Sequence, residues 1–297
     1  MKLVWNSAFA LLVLTGALLG LSLPFGKVAT ANGVPPIIWA FLISFGAGAI
    51  LLAALLVTGN RLKLTGHNLR YFFIVAAISY AIPNLLMFSL IPHVGAGYAG
   101  IMYTLSPVAT LVLSLLLGVR RPNLLGIAGI AVGFVGAVMV ALTRGEADRP
   151  ADIFWVILGL VLPLFLACGN IYRTYDWPKG SGPIELAAGC HLAAALMLLI
   201  GAVGIGAAGA FGELAKLPVL SLAQVVTASA MFVFFFRLQD VGGPVYLSQI
   251  GYVAAAIGLV SGTVFLGEHY QWLTWLGALI ITIGVVMTTK AQAKNGR

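Results

Sequence analysis

The amino-acid sequence predicts an all-α membrane protein with ten transmembrane helices, arranged as two inverted five-helix repeats. The first observation is composition: of 297 residues, 61% are hydrophobic and only 8% are charged, whereas soluble domains carry about 25% charged residues. The second is a succession of long apolar runs, and the third is a glycine pattern that recurs in both halves. This composition excludes a soluble domain, so the net charge of +8 indicates membrane topology and not nucleic-acid binding.

Ten apolar runs, separated by proline, glycine or charged residues, are the predicted spans. A run of about twenty residues is enough for a helix to cross a hydrocarbon core of roughly 30 Å. The most charged stretch runs from Arg144 to Asp152, at the midpoint of the chain. It predicts a boundary between a first half, 1–146, and a second half, 147–297. The predicted spans are 5–26, 35–57, 70–91, 95–118, 123–143, 152–173, 183–206, 221–238, 244–266 and 271–290.

The basic residues predict the orientation. If the N-terminus is cytoplasmic, twelve of the 16 lysines and arginines lie on the cytoplasmic side, as the positive-inside rule requires. Arg173 is counted among them. Both termini are then cytoplasmic, and five spans per half make the halves antiparallel. The run from Ala8 to Leu23 also resembles a cleavable signal peptide, but the repeat requires it as the first span.

The end of each half has a similar sequence. SLLLGVRRPNLLGIAGIAVGFVGAVMV in the first half aligns with TVFLGEHYQWLTWLGALIITIGVVMT in the second. This alignment pairs Gly129 and Gly136 with Gly277 and Gly284. Glycines let helix backbones approach closely, so we expect a helix–helix seam here, either within one chain or between the copies of a homodimer. Inverted five-span repeats are a transporter architecture with the substrate site near the midplane.

Two longer segments carry a family resemblance. FFFRLQDVGGPVYLSQIGYVAAAIGLVSGTVFLGE and NLLMFSLIPHVGAGYAGIMYTLSPVATLVLSLLLG, together with GLSLPFGKVA, resemble the ten-span EamA-type members of the drug/metabolite transporter superfamily. The resemblance implies a carrier of small metabolites in the bacterial inner membrane. One departure is visible, because the family often repeats Gly-Glu after the fourth span and this chain has Gly118-Val119-Arg120-Arg121.

Polar residues inside apolar spans are the candidate substrate-binding residues, since they are costly in hydrocarbon. Tyr80 and Asn84 are four residues apart and share a helix face. Pro83 between them frees a carbonyl and bends the helix. We interpret this group as a cavity wall with a hinge. The alternative is hydrogen bonding between helices, which small polar groups often supply.

A second group of candidates lies in the fourth and ninth predicted spans. Tyr103 and Ser106 are three residues apart, and so are Gln249 and Tyr252. Carrying the repeat alignment back pairs Tyr103 with Tyr252, so the two tyrosines are expected to face each other across the pseudo-twofold axis. Tyrosines can alternatively belong to the aromatic belts at the membrane surfaces.

Two further residues, Lys27 and His191, have two interpretations each. Lys27 lies late in the first predicted span, and Asn170 is its repeat counterpart. The lysine is expected either to pair with a substrate carboxylate or to extend to the interface along its apolar stem. His191 is a candidate for titration near neutral pH, or else a packing residue.

The remaining sequence argues for transport without cofactors. All eight acidic residues fall in loops or at span ends, and no metal-ligand spacing, catalytic triad or phosphate-binding loop is present. Together with the family resemblance, which implies an exporter or an uptake carrier, this favours a non-enzymatic transporter. We predict an exporter of a small metabolite, such as an amino acid or a related amphipathic solute, working by alternating access. Its predicted partners are the solute and the lipid bilayer, with no nucleic acid, metal or cofactor. The alternative is a membrane scaffold or assembly protein without a solute path.

Overall fold

The computed structural model describes residues 5–117 and 124–295 and contains only helices within these ranges. The departure at Gly118–Arg121 lies outside them. One π-helical segment spans Ala76–Ala81, and one 3₁₀ helix spans Ala207–Lys216. The α-helices are α1 (Ala8–Ala31), α2 (Pro36–Val57), α3 (Gly66–Val75), α4 (Ile82–Val94), α5 (Ala96–Tyr103), α6 (Ser106–Leu116), α7 (Leu124–Thr143), α8 (Ile153–Tyr175), α9 (Pro183–Gly204), α10 (Pro218–Ser248), α11 (Ile250–Phe265) and α12 (Trp272–Asn295).

Eight helical stretches in the described part of the chain are long and apolar enough to cross a membrane. They are α1, α2, α3 with α4, α5 with α6, α7, α8, α9 and the Pro218–Gly242 part of α10. Two shorter apolar helices follow, Ile250–Phe265 and Trp272–Gly284. The predicted class, an all-α multi-pass membrane protein, is confirmed. Each of the ten predicted spans coincides with helix, but eight reach the length of a full crossing.

Two of these stretches are interrupted by proline. Pro83 has no N–H, so it cannot bond to the carbonyl of Ser79, and the helix widens into the π segment, where the Ile82 N–H reaches Ala77 O. Pro107 cannot bond to Tyr103 O for the same reason, and α5 ends there. The hinge predicted at Pro83 is therefore a local change of helix type.

Contacts with α1 show that the chain reverses direction between α10 and α11. Gln224 donates to Ser22, and Arg237 donates to the carbonyl of Trp5, so α10 runs antiparallel to α1. A Cβ at Gly16 would lie 2.8 Å from Ile250 O, and later residues of α11 lie against later residues of α1. Helical hydrogen bonding extends to Ser248, yet the reversal lies between Arg237 and Ile250, in a stretch that contains a Gly-Gly-Pro sequence.

Helix pairing crosses between the two halves of the chain. The most extensive contacts join α7 with α12, α2 with α9, α1 with α10, α5 with α11, α1 with α11, and α2 with α10, and α8 packs against α4 and α6. The largest fully buried side chains include Trp39, Tyr71, Tyr98, Phe236 and Arg173. The buried core therefore lies between helices of both halves, and the charged side chain of Arg173 is part of it.

The glycine stripe of α7 packs against α12. A Cβ at Gly136 would lie 2.7 Å from Ile281 N and 2.8 Å from Gly277 O, and one at Gly284 would lie 2.7 Å from Gly129 O. Backbones this close leave no space for a side chain. The seam expected from the sequence is therefore confirmed, and it lies within the chain.

Charged groups mark the two ends of the bundle. At one end, which we call the Glu268 end, Lys27 pairs with Glu146 at 2.5 Å and with Glu268 at 2.6 Å. At the other, the Asp176 end, Asp176 pairs with Arg70 at 2.9 Å and with His67 at 3.0 Å. Each group joins elements from both halves of the chain.

Glu268 is the more buried anchor of the Glu268 end, with 1% of its surface exposed. It accepts hydrogen bonds from the N–H groups of Ala96, at 2.6 Å, and Gly97, at 3.1 Å, and from the Tyr270 hydroxyl. It therefore caps the N-terminus of α5, where a negative charge is stabilising. A side chain at Gly262 would overlap its carboxylate, so that glycine makes the space Glu268 occupies. Burial and the neighbouring Glu268 charge raise the pKa of Tyr270, so its hydroxyl stays protonated and donates.

Gly136→Ala tests the seam between α7 and α12. We expect the variant to lose about 1–3 kcal/mol of stability, because overpacking a tight interface forces backbone shifts. Thermal unfolding in detergent measures the loss. The matched control is Gly204→Ala at the end of α9, where nothing lies within 4 Å of an added Cβ. Equal melting temperatures for the two variants would contradict the close packing.

Glu268→Gln tests the buried ion pair. Breaking a buried charge pair costs on the order of 3 kcal/mol, so this variant should melt well below the parent protein. Glu213→Gln is the control, because Glu213 pairs with Lys216 at the surface, where such pairs contribute at most about 1 kcal/mol. A Glu268→Gln protein as stable as its control would show that Glu268 holds nothing together.

Candidate functional site

A cavity of about 70 Å³ lies between α1, α2, the π segment, α4, α5, α6, α8, α10 and α11. Both halves of the chain contribute to its wall, which is mostly apolar with a small set of polar groups. The lining residues are Leu19, Ser22, Leu23, Ile43, Ser79, Tyr80, Asn84, Phe88, Tyr103, Ser106, Leu166, Asn170, Arg173, Met231, Phe232, Phe235, Leu247, Ser248, Ile250 and Gly251. A concave apolar site with a few convergent polar groups is the usual form of a small-molecule site.

The π segment and the start of α4 place Tyr80 and Asn84 on this wall. Tyr80 lies among rings, with its centroid 4.3 Å from that of His191 and 5.3 Å from that of Phe232. Its hydroxyl and the amide nitrogen of Asn84 are buried and have no hydrogen-bond partner among the described residues. Such groups are costly when unpaired, and π segments are frequent at functional sites. Both observations favour a ligand at this wall.

The break between α5 and α6 brings Tyr103 and Ser106 to the cavity. At this break the N–H groups of Thr104 and Leu105 donate to carbonyls three residues back, to Ile101 O at 2.9 Å and to Met102 O at 3.3 Å. A Cβ at Gly251 would lie 2.6 Å from the Tyr103 carbonyl. The fourth and ninth predicted spans therefore cross at this point.

Asn170 and Arg173 reach the cavity from α8, one turn apart. The Arg173 Nε donates to Gln239 at 2.8 Å, Nη2 donates to Asn170 Oδ1 at 2.7 Å, and Nη1 donates to Ser79. The guanidinium also lies 5.0 Å from the centre of the Phe235 ring. Arg173 is 2% exposed, so it is a buried cation held by uncharged groups from the π segment, α8 and α10.

Asp176, the acid nearest to Arg173 in sequence, is engaged elsewhere. It accepts from Tyr172 at 2.5 Å and pairs with His67 and Arg70. Burial raises the pKa of Asp176, but hydrogen bonds from Tyr172, His67 and Arg70 outweigh this effect and hold it below its usual value. Asp176 is therefore ionised and committed to the surface group at its end of the bundle.

Five of the eight predicted site residues line the cavity: Tyr80, Asn84, Tyr103, Ser106 and Asn170. Gln249 and Tyr252 are not in the lining set, although their neighbours Ser248 and Gly251 are. The Gln249 amide nitrogen and the Tyr252 hydroxyl are buried without a partner among the described residues. Lys27 lies apart, in the Glu268 cluster. His191 packs against Tyr80 and Phe232 with both ring nitrogens lacking such a partner.

Arg173 lines the cavity, whereas its position near the end of a predicted span indicates only a charge that sets topology. A usable signal was present. Arg173 follows Asn170 by three residues, so the two share a helix face. Glu146 and Glu268 were expected at span ends, and their common partner Lys27 was not identified.

A second, larger cavity carries none of these polar groups. It has a volume of about 670 Å³ and lies between α6, α7 and α8. Its wall is built of leucine, valine, alanine, isoleucine and phenylalanine side chains, with Pro163 and Cys168. We therefore place the candidate site in the smaller central cavity. No group of three potential metal ligands occurs among the residues that the structure describes.

Comparison with known proteins identifies the same class. The model of the EamA-like transporter family matches residues 6–142. The uncharacterized inner membrane transporter YedA of Escherichia coli (strain K12) is 27% identical over 295 residues, covering 94% of this chain and 91% of that protein. A WAT1-related protein of Arabidopsis thaliana is 23% identical, covering 91% of this chain and 84% of its own.

A solved crystal structure shares the fold. Its TM-score is 0.62 at 19% identity, and the match covers 96% of this chain and 98% of the other. At this identity the likeness concerns the fold alone. The family match over residues 6–142 and the full-length relatives support a multi-pass membrane transporter similar to members of the drug/metabolite transporter superfamily.

Proposed function

We propose that this protein is an exporter in the bacterial inner membrane that carries a small amphipathic metabolite, such as an amino acid or a related solute. It is a carrier and not an enzyme. The observation that supports this proposal is the central cavity, whose wall combines unpaired polar groups with aromatic and aliphatic side chains from both halves. The inner-membrane location follows the printed name of the Escherichia coli relative, and export is carried over from the family resemblance.

The proposed architecture is ten spans in two inverted repeats, 1–146 and 147–297. The pairing of helices supports it. In such a repeat each span of the first half corresponds to the span five places later, so α1 corresponds to α8 and α4 to α10. The α1–α10 contact then corresponds to the α8–α4 contact. The α2–α9, α5–α11 and α7–α12 contacts each join two corresponding spans. Such a pattern is expected when a pseudo-twofold axis in the membrane plane relates the halves. One chain supplies the whole cavity, so this mechanism needs no homodimer.

The small volume of the cavity favours a carrier whose helices change position when a solute binds. Pockets for drug-sized ligands are typically about 300–1,000 Å³, and the cavity measures about 70 Å³. A metabolite therefore needs the surrounding helices to separate. The proline-interrupted stretches at Pro83 and Pro107 are suited to this movement, because their freed carbonyls weaken the helix at the cavity wall.

The two ends of the bundle are the proposed gates. With both termini cytoplasmic, the Asp176 end faces the cytoplasm and the Glu268 end faces outward. Opening the outer end requires Lys27 to separate from Glu146 and Glu268 in the Glu268 cluster. The proposed substrate contact of Lys27 would arise only after it leaves Glu146 and Glu268. Rotation of α11 would bring Gln249 and Tyr252 into the site.

Asn84→Leu tests the solute path. We expect it to slow transport about fivefold, because the solute loses one hydrogen bond of about 1 kcal/mol. The measurement is release of a loaded metabolite mixture from proteoliposomes, analysed by mass spectrometry. Asn32→Leu, at the exposed end of α1, is the matched control and should transport normally. A parent protein that releases no metabolite would contradict the carrier proposal.

Cysteine accessibility separates a carrier from a scaffold. Tyr103→Cys, in a background lacking Cys168 and Cys190, should react with polar thiol reagents, because a carrier admits water to its midplane. Val140→Cys is the control and should stay protected, since Val140 is fully buried in the seam of α7 and α12. Complete protection of both positions from both sides would favour a scaffold.

A further inference from the structure

We infer that Arg173 is a substrate-binding residue that receives the anionic group of the solute, and that the cavity accepts a monoanionic carboxylate with an apolar body. This inference rests on the proposed function and names its substrate class. It starts from a charge imbalance in the cavity. Arg173 is buried, lines the cavity and belongs to none of the ion pairs among the described residues.

The imbalance is not explained by a distant acid. All eight Asp and Glu residues of the chain lie in the described ranges, and none comes within 4 Å of Arg173. Each has a partner elsewhere: Glu146 and Glu268 with Lys27, Asp148 with His269, Asp152 with the N-terminus of α8, Asp176 with Arg70, Glu185 with Lys63, Glu213 with Lys216, and Asp240 with Arg237.

The guanidinium has donors to spare. It carries five N–H groups, and three are used by Gln239, Ser79 and Asn170. One N–H on each terminal nitrogen remains. Two further donors without a partner in the described chain, the Tyr80 hydroxyl and the Asn84 amide, line the same cavity. A site with surplus donors fits an acceptor-rich ligand, and the two terminal nitrogens of an arginine match the two oxygens of a carboxylate.

Burial makes the missing counter-ion significant. A buried charge is costly unless it is both hydrogen-bonded and paired. The uncharged partners of Arg173 supply the hydrogen bonds, and the Phe235 face adds a modest cation–π attraction. Pairing alone is absent, and a carboxylate from the solute would supply it.

The other lining residues narrow the ligand class. Arg173 is the only charged residue among them. A phosphate ester would therefore bring a second negative charge without a partner, and a simple amine would bring a like charge. Leu23, Phe88, Phe232 and Phe235 form apolar surfaces around the polar groups, which favours an apolar body over a sugar or a nucleotide.

A purely structural role for Arg173 makes a different prediction. Its bonds join α8 to the π segment and to α10, so loss of the side chain could simply weaken the bundle. In that case solute selectivity would not depend on its charge. The decisive measurement is therefore ligand selectivity at equal folding.

The test uses full-length protein purified in detergent and four probes with the same six-carbon chain: hexanoate, norleucine, hexylamine and hexyl phosphate. Calorimetric titration and thermal shift measure binding without requiring transport. The parent protein should bind both hexanoate and norleucine, because both carry the carboxylate that Arg173 receives. It should bind hexylamine and hexyl phosphate at least tenfold more weakly.

Three variants complete the experiment. Arg173→Gln should lose about 100-fold in hexanoate affinity and Arg173→Lys about tenfold, because lysine keeps the charge without the planar fork. Arg61→Gln removes an exposed arginine from the loop between α2 and α3 and should bind like the parent. If Arg173→Gln does not fold, the preference of the parent protein for hexanoate over hexylamine and the hexanoate affinity of Arg173→Lys still test the role of Arg173.

The outcomes separate the two proposals. Equal binding of hexanoate and hexylamine, absence of hexanoate binding, or unchanged hexanoate affinity in folded Arg173→Gln would overturn the role of Arg173. Hexanoate binding by a protein that moves no solute in proteoliposomes would retain this inference and contradict the carrier function. Transport of an uncharged solute by a protein that binds no carboxylate would support the carrier function and contradict the role of Arg173.

Discussion

The hydrocarbon core of a bilayer offers no hydrogen-bond partners, and this constraint governs the structure. Every polar group at that depth must find its partner inside the protein. The Glu268 cluster meets the requirement fully, since Glu268 has a lysine, a tyrosine hydroxyl and two backbone N–H groups around it. The central cavity meets it only in part, because Tyr80 and Asn84 keep unpaired donors.

Glycine and proline divide the bundle into rigid and deformable parts. Between α7 and α12 the glycines bring backbones into direct contact, so this pair gains dispersion energy over its length and resists separation. Around the cavity, Pro83 and Pro107 remove backbone hydrogen bonds from the helices that carry Tyr80 and Tyr103. The stable seam therefore lies away from the cavity, and the weakened helices form its wall. This distribution suits a structure whose centre changes shape while its perimeter stays packed.

The membrane class, the helical segments and the α7–α12 seam could be predicted from the sequence, because apolar length and glycine spacing are local properties. Tyr80, Asn84, Tyr103 and Ser106 could also be placed on one cavity, since helical periodicity and the neighbouring prolines fix their faces. Partner choice could not be predicted. Lys27 and Arg173 are both cations near the end of an apolar run, and only the packing of distant segments gives two carboxylates to the first and none to the second. The position of Gln249 likewise depends on how α11 packs against α1 and α5, which its own sequence does not determine.

These two cations are related by the proposed repeat. Lys27 and Asn170 are counterparts, and Arg173 lies one turn beyond Asn170, so the first span of each half carries a cation near its C-terminal end. In the proposed antiparallel arrangement of the halves, the cations lie toward opposite ends of the bundle. The protein supplies the counter-ions of Lys27 and thereby ties α1 to α5 and to the link between the halves. Arg173 has only neutral partners. If its counter-ion arrives with the solute, binding would strengthen the contacts among α8, the π segment and α10, as Glu268 does permanently at the other end. The solute would then stabilise a closed Asp176 end by the same type of interaction that holds the Glu268 end closed, and this would couple solute binding to the conformation of the protein.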